Sequence, residues 1–154
     1  MSKLKVSFYV LSANKAQDFL GFICQLTQTA LNKSSQSLII LADNEERLME
    51  LDEVLWANDA ASFIPHQRLS AEVSASNADS VAPVLLAQQL PPNFSGIVIN
   101  TTARPVNDFI AATSNVLVSR ILEIILPDDT SVAQGRQKYK YYQQLNYELT
   151  HFKV

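Results

Sequence analysis

The amino-acid sequence predicts an α/β fold. Short apolar runs of strand length alternate with segments whose apolar residues recur at helical spacing, which is typical of a parallel sheet covered by helices. The 154 residues are 47% hydrophobic, enough for one compact core without disulfides. The three glycines, Gly21, Gly96 and Gly135, are far apart, so no nucleotide-binding glycine loop can form. We therefore predict one three-layer, Rossmann-like domain over residues 1–154, with a mostly parallel sheet and no nucleotide loop.

The first part of the chain has the order β-α-β-α. Residues 6–11 predict a strand, and Asn14 then opens a helix with apolar residues three or four positions apart. Residues 37–42 predict a second, mostly buried strand. Asp43 is the predicted N-cap of the next helix, with Glu46 as its capping-box partner.

The middle of the chain contains one long polar segment. Residues 67–80 are rich in Ser, Ala and Asn without a period, which predicts a surface loop inside the single domain. Three further strands are predicted, at 81–87, 96–100 and 120–126.

Two more helices complete the prediction. Pro105 suits the first turn of a helix whose buried face extends to Leu117. After the last strand, Asp128 or Asp129 can begin a final helix that runs to about Glu148.

Composition argues against several functions. The formal net charge is −3, so the electrostatic attraction that drives binding to a phosphate backbone is missing overall. No apolar run approaches the ~20 residues of a membrane span, and the first apolar run ends too soon for a signal peptide. The single cysteine, Cys24, lies in a helical apolar pattern, which favours a buried, inert thiol. We expect a soluble cytoplasmic protein that needs no membrane.

The sequence offers no catalytic constellation. His66 and His151 are the only histidines, and neither lies at metal-ligand spacing from Cys24 or from the other. Adjacent carboxylates point about 100° apart on a helix, and no Gly-x-Ser-x-Gly elbow is present. We expect no catalytic residue, no metal and no cofactor, although an α/β enzyme of unknown substrate stays open because a fold does not define a function.

The final helix carries one candidate binding face. Helical spacing places four residues on it: Arg136, Tyr139, Lys140 and Gln143. Arg136 and Lys140 repel each other and have no acidic residue four positions away, so the pair fits an anion site. Tyr139 adds an apolar wall, which suits an aromatic side chain that ends in a carboxylate. A solvated helix end would explain the same residues. Direct single-stranded nucleic-acid binding through Tyr139, Tyr141, Tyr142 and the nearby lysines is another interpretation, which the acidic total disfavours.

A second candidate surface follows the acidic helix that contains residue 55. Trp56 ends this helix, and Phe63 and Ile64 follow a short linker. Aromatic residues anchor interfaces, but they fill cores more often. Trp56 lies one position past the inner stripe, which favours the rim of the core.

Three sequence blocks point to one family. LDEVLW at 51–56, SFIPH at 62–66 and RQKYKYY at 136–142 resemble the chi subunit family of the bacterial DNA polymerase III clamp loader. The resemblance extends over essentially the whole chain. It implies a non-enzymatic adaptor that reaches nucleic acid only through other proteins.

The resemblance assigns a role to the face on the final helix. It implies that this face binds the acidic C-terminal tail of single-stranded DNA-binding protein, which ends in Pro-Phe. Arg136 would receive the terminal carboxylate, Tyr139 would line the pocket, and Leu126 would form its apolar floor. Lys140 and Gln143 would complete the site.

The resemblance also assigns the second surface and shows one departure. The resemblance implies that Trp56, Phe63 and Ile64 dock the psi subunit. In some relatives a DNA-repair helicase competes for the same surface. The family pattern often has another lysine one turn before the arginine, whereas residues 130–133 are Thr-Ser-Val-Ala and Gly135 costs the helix up to ~1 kcal/mol relative to Ala. Tail affinity would be lower, or Lys140 would compensate.

Overall fold

The computed structural model describes residues 4–33, 37–57, 66–68, 84–113 and 115–154. Along them the chain forms seven strands and five helices. Their bounds are β1 Lys5–Val10, α1 Ala13–Ala16, α2 Phe19–Lys33, β2 Ser37–Leu41, α3 Glu45–Ala57, β3 His66–Arg68, β4 Val84–Ala87, β5 Ser95–Asn100, α4 Val106–Ala111, β6 Leu117–Ile125, α5 Asp129–Gln144 and β7 Glu148–Lys153.

One seven-stranded sheet organises the domain, in the order β3-β4-β2-β5-β6-β1-β7. Every pair of neighbouring strands is parallel. Successive side chains of a strand point to opposite faces, so Ile40 of β2 joins the core under α2 and α3, and Ile39 joins the core under α4 and α5. The predicted three-layer α/β fold is confirmed.

The end of the chain differs from the prediction. The final helix ends at Gln144, and Asn146 turns the backbone with a φ of 62°. Residues 148–153 then form β7, which pairs parallel to β1 with His151 opposite Phe8. The sequence did not reveal this strand because it lies at the sheet edge, where mostly exposed residues give no apolar run.

Helix caps follow the predicted chemistry with one shift. Asn44, not Asp43, caps α3, since its Oδ1 accepts the backbone N–H of Arg47 at 2.8 Å. Asp128, one of the two predicted candidates, caps α5 and accepts the N–H of Ser131 at 3.0 Å. Hydrogen bonding to Ser131 lowers the pKa of the Asp128 carboxyl group.

Three other boundaries were predicted wrongly. Ser12 caps the short helix α1, and Asn14 lies inside it. The helix after Pro105 ends at Ala111, and Leu117 begins β6 with 72% of its surface exposed. Residues 67 and 68, predicted to belong to a polar loop at 67–80, pair with β4 as part of β3. Residues 69–80 lie outside the described ranges.

Cys24 is buried, as the sequence predicted. Burial, followed by the nearby charge of Asp18, raises the pKa of its thiol to about 11. Within the described ranges, no helix combines the length and the apolar character needed to cross a bilayer.

Candidate functional site

A cavity of about 550 Å³ opens on the α5 side of the sheet, near the edge formed by β7. We call it the α5–β7 groove. Residues of β1, β6, α5 and the edge strand β7 line it: Phe8, Val10, Ile125, Val132, Gly135, Arg136, Tyr139, Lys140, His151 and Lys153. The charged residues in this set are all basic, so the groove can attract an anion over an apolar floor.

Helical spacing brings the predicted face of α5 to this groove. Arg136 and Lys140 are exposed at its rim, and Tyr139 is half-buried between them. Gln143, on the next turn, is exposed and lies outside the lining. Three of the four predicted helix residues therefore come together.

Three aromatic rings form one wall of the groove. Tyr139 stacks on His151 with ring centroids 4.9 Å apart and an interplanar angle of 22°. Phe8 lies 5.5 Å from Tyr139 and 5.9 Å from His151. Such a wall suits an apolar or aromatic ligand side chain.

Ile125 forms the floor that the sequence analysis had assigned to Leu126. Leu126 packs with the core on the opposite side of the sheet and lines a different cleft. Alternation along a strand explains this difference, since neighbouring side chains point to opposite faces. Its predicted contact with a bound tail stays a prediction, whereas Ile125 occupies the position of the floor.

Gly135 allows α5 to lie close to this floor. A Cβ atom added at Gly135 would lie 2.8 Å from Cδ1 of Ile125, closer than van der Waals contact. The glycine that weakens the helix locally thus lets α5 pack closely on the sheet, and a larger residue there would force the Ile125 side chain to shift.

The inner face of α5 is held by a buried polar cluster. The Lys138 ammonium donates to Glu123 Oε1 at 2.8 Å and to the backbone oxygen of Thr102 at 2.7 Å. The Tyr142 hydroxyl donates to Glu123 Oε2 at 2.6 Å, and Asn100 donates to the same oxygen at 2.8 Å. The sequence did not reveal this cluster, and its one signal is Glu123 inside the apolar run of β6.

Burial dominates the electrostatics of this cluster. Desolvation raises the pKa of Glu123, although the charge of Lys138 and three hydrogen bonds act in the opposite direction. Desolvation, followed by the charge of Glu123, also raises the pKa of Tyr142. The Tyr142 hydroxyl accepts the N–H of Val106 at 2.8 Å, so one cluster ties α5 to β5, β6 and the start of α4. The face of α5 that lines the groove therefore belongs to a helix whose opposite face is anchored by buried hydrogen bonds.

A family comparison decides the classification of this chain. The family described as "DNA polymerase III chi subunit, HolC" matches residues 3–150. The chain belongs to this chi subunit family. Similar proteins, each named DNA polymerase III subunit chi, include those of Pseudomonas aeruginosa, 29% identical over 94% of this chain and 93% of the relative, and of Escherichia coli, 26% identical over 93% of both. A third, from Haemophilus influenzae, is 25% identical over 86% of this chain and 85% of its own length.

Solved structures show how this chi-family chain is folded. It resembles Saccharomyces cerevisiae Dbp5 in a complex with Nup159, Gle1, IP6 and ADP, with a TM-score of 0.65 and 12% identity; the match covers 98% of this chain and 42% of that chain. It also resembles T4 UvsW, with a TM-score of 0.56, 8% identity and coverage of 98% and 41%. The chi-family chain spans about two-fifths of those chains, and at such identities the likeness shows a shared Rossmann-like fold alone.

A smaller cleft lies at the carboxyl ends of β2, β5 and β6, where open α/β sheets commonly bind ligands. It has a volume of about 200 Å³, and the Arg47 guanidinium lies in it 4.4 Å from the ring centroid of Phe19. Among the described residues, no group of three His, Cys, Asp or Glu side chains could hold a metal ion.

The second predicted surface lies mostly outside the described part of the chain. Trp56 belongs to the last turn of α3, but its side chain is not described. Phe63 and Ile64 lie outside the described residues. Their role as a docking surface stays a prediction.

Proposed function

We propose that this chain is a non-enzymatic adaptor subunit of the DNA polymerase III holoenzyme that acts in the cytoplasm during DNA replication. It would link the clamp loader, through the psi subunit, to the C-terminal tail of single-stranded DNA-binding protein. Membership of the chi subunit family supports a place in the replicase. The α5–β7 groove is the observation that supports tail binding.

The charges of the groove complement an acidic tail. The whole chain carries a net charge of −3, yet the charged lining residues are Arg136, Lys140 and Lys153. A local basic patch on an acidic protein can attract a peptide of opposite charge and still repel extended polyanions. Lys153 was not anticipated from the sequence, and together with Lys140 it supplies positive charge that residues 130–133 lack.

The apolar floor and the guanidinium at the rim fit a C-terminal Phe. The ring of the ligand would pack against Tyr139 and Ile125, while the terminal carboxylate would reach Arg136. A guanidinium offers two parallel hydrogen bonds to a carboxylate, whereas an ammonium acts as a point charge. We therefore assign Arg136 to the terminal carboxylate and Lys140 to the acidic residues before it.

Trp56, Phe63 and Ile64 are proposed to dock the psi subunit, and a DNA-repair helicase is a candidate competitor there. Trp56 belongs to the last turn of α3, which packs on the opposite side of the sheet from α5. We propose separate faces for the two partners. An adaptor needs this separation to hold both at once.

Isothermal calorimetry with two synthetic peptides tests tail binding. One is an acidic peptide that ends in Pro-Phe with a free carboxylate, and the other has the same sequence with a C-terminal amide. We expect the free acid to bind and the amide to lose most of its affinity, because only the acid can pair with Arg136. Equal affinities would contradict the assignment, and no binding of either peptide would refute the groove as a tail site.

Two further measurements separate the other functions from this one. Stabilisation of the protein by ATP or NAD at sub-millimolar concentration would favour an enzyme, because nucleotide binding raises the melting temperature. Binding to oligo(dT) that falls steeply with salt would favour a direct single-strand binder. An adaptor should show neither.

A further inference from the structure

His151 lines the α5–β7 groove, although it belongs to the edge strand and was not among the predicted binding residues. Its exposed ring contacts two aromatic neighbours, and its centroid lies 4.9 Å from that of Tyr139 and 5.9 Å from that of Phe8. Phe8 is also its register partner in the sheet. The position of the imidazole is therefore defined by both α5 and β1.

The charged and titratable groups around His151 are almost all basic. Arg136, Tyr139 and Lys140 face the groove from α5, and Lys153 faces it from β7. From β1 and β6 the groove receives only apolar side chains, and none of the described residues that line it is a carboxylate. Glu148 of β7 is three positions away, and strand alternation places it on the opposite face of the sheet.

We propose that His151 is a ligand-contacting residue of the α5–β7 groove, which makes the capture of an acidic peptide tighter as the pH falls. This proposal rests on the proposed function and adds pH regulation to the same site. Histidine is the side chain whose charge commonly changes between about pH 5 and 8. Its charged form would meet the carboxylates of the peptide, and the faces of Tyr139 and Phe8 also favour a cation.

The direction of the effect follows from linkage. Bound carboxylates favour the charged imidazole, so peptide binding takes up a proton wherever His151 is neutral in the free protein. Affinity must then rise as the pH falls. The carboxylates of the peptide ordinarily titrate near pH 4 and stay ionised at pH 5.5 and above, so they do not produce the trend.

The test measures the affinity of the free-acid peptide at pH 5.5 and pH 7.5 by calorimetry. We expect the wild type to bind roughly two- to fivefold more tightly at pH 5.5, the range expected for one partly exposed ion pair. His151→Gln should lose this pH dependence. His66→Gln changes the only other histidine and should keep it. His151→Lys supplies a permanent charge and should bind at pH 7.5 about as tightly as the wild type does at pH 5.5.

The outcomes separate this proposal from the function on which it rests. Equal wild-type affinity at both pH values, or full pH dependence in His151→Gln, would overturn the role of His151 while leaving tail binding intact. Absence of peptide binding at both pH values would overturn both. Proton uptake is measured independently by repeating the titration in buffers of different ionisation heat, and no uptake at pH 7.5 by the wild type would also count against the proposal.

Discussion

The Lys138 ammonium lies 2.8 Å from Glu123 Oε1, and the two side chains are only 4% and 0% exposed. This ion pair joins the inner face of α5 to β6, directly behind the groove face that carries Arg136 and Tyr139. A buried pair of this kind contributes little net stability when intact, but losing one partner leaves an uncompensated charge in the core. It therefore holds α5 in one position.

Lys138→Met should lower the free energy of unfolding by about 3–5 kcal/mol at pH 8, because Glu123 stays buried without its cation. Urea unfolding followed by circular dichroism measures this loss. Lys140→Met, two residues further along the same helix and exposed, is the matched control and should change stability by about 0.5 kcal/mol or less. Similar losses in both variants would contradict a structural role for the buried pair.

The destabilisation of Lys138→Met should depend on pH. Burial raises the pKa of Glu123 above the ordinary 4.5, and Lys138 lowers it more than any other neighbour does. Without Lys138, the carboxyl group therefore has a still higher pKa in the folded state. Such a group stabilises the fold below its unfolded pKa, and this contribution is lost as the pH rises through the folded pKa. The loss of stability should therefore be smaller at pH 5 than at pH 8. An equal loss at both values would show that Glu123 is not the group responsible.

Arg136→Ala should reduce tail affinity by roughly 2 kcal/mol or more, because a carboxylate loses its paired hydrogen bonds. Lys140→Ala, at the exposed rim, should cost about 1 kcal/mol or less. Calorimetry with the tail peptide compares the two, and each variant serves as the control for the other. Binding of psi should be unchanged in both, and unaltered tail binding by Arg136→Ala would remove the proposed anchor.

Cys24 should react very slowly with a thiol reagent such as DTNB at pH 8. The thiolate is the reactive form, and burial raises the pKa of this thiol from 9.0 to about 11. Modification should speed up sharply across the urea unfolding transition. A fast reaction in native conditions would contradict the burial of this side chain.

Phe63→Ala should weaken the complex with psi by roughly 2 kcal/mol or more and leave the fold intact. Truncating an interface anchor removes area that is buried in the complex but not in the free protein. Surface plasmon resonance measures the affinity, with thermal unfolding as the control for folding. If Phe63→Ala unfolds instead, the ring belongs to the core.

Local patterns were enough to predict much of this molecule. The alternation of apolar runs with helical periods indicated a parallel α/β domain. That Asp128 or Asp129 begins the final helix followed from the side chains of these residues and the backbone next to them. The helical period alone placed Arg136, Tyr139 and Lys140 on one face. Each of these depends on residues within a few positions of one another, where spacing alone defines geometry.

Only the tertiary structure decided how distant segments combine. Phe8 and His151 come from nearly opposite ends of the chain, and they meet because β7 returns to pair with β1. Lys138 belongs to the same basic run as Arg136, yet it is buried because β6 places a glutamate under α5. Strand order depends on packing between elements rather than on local spacing, so the groove became visible only once the sheet was assembled.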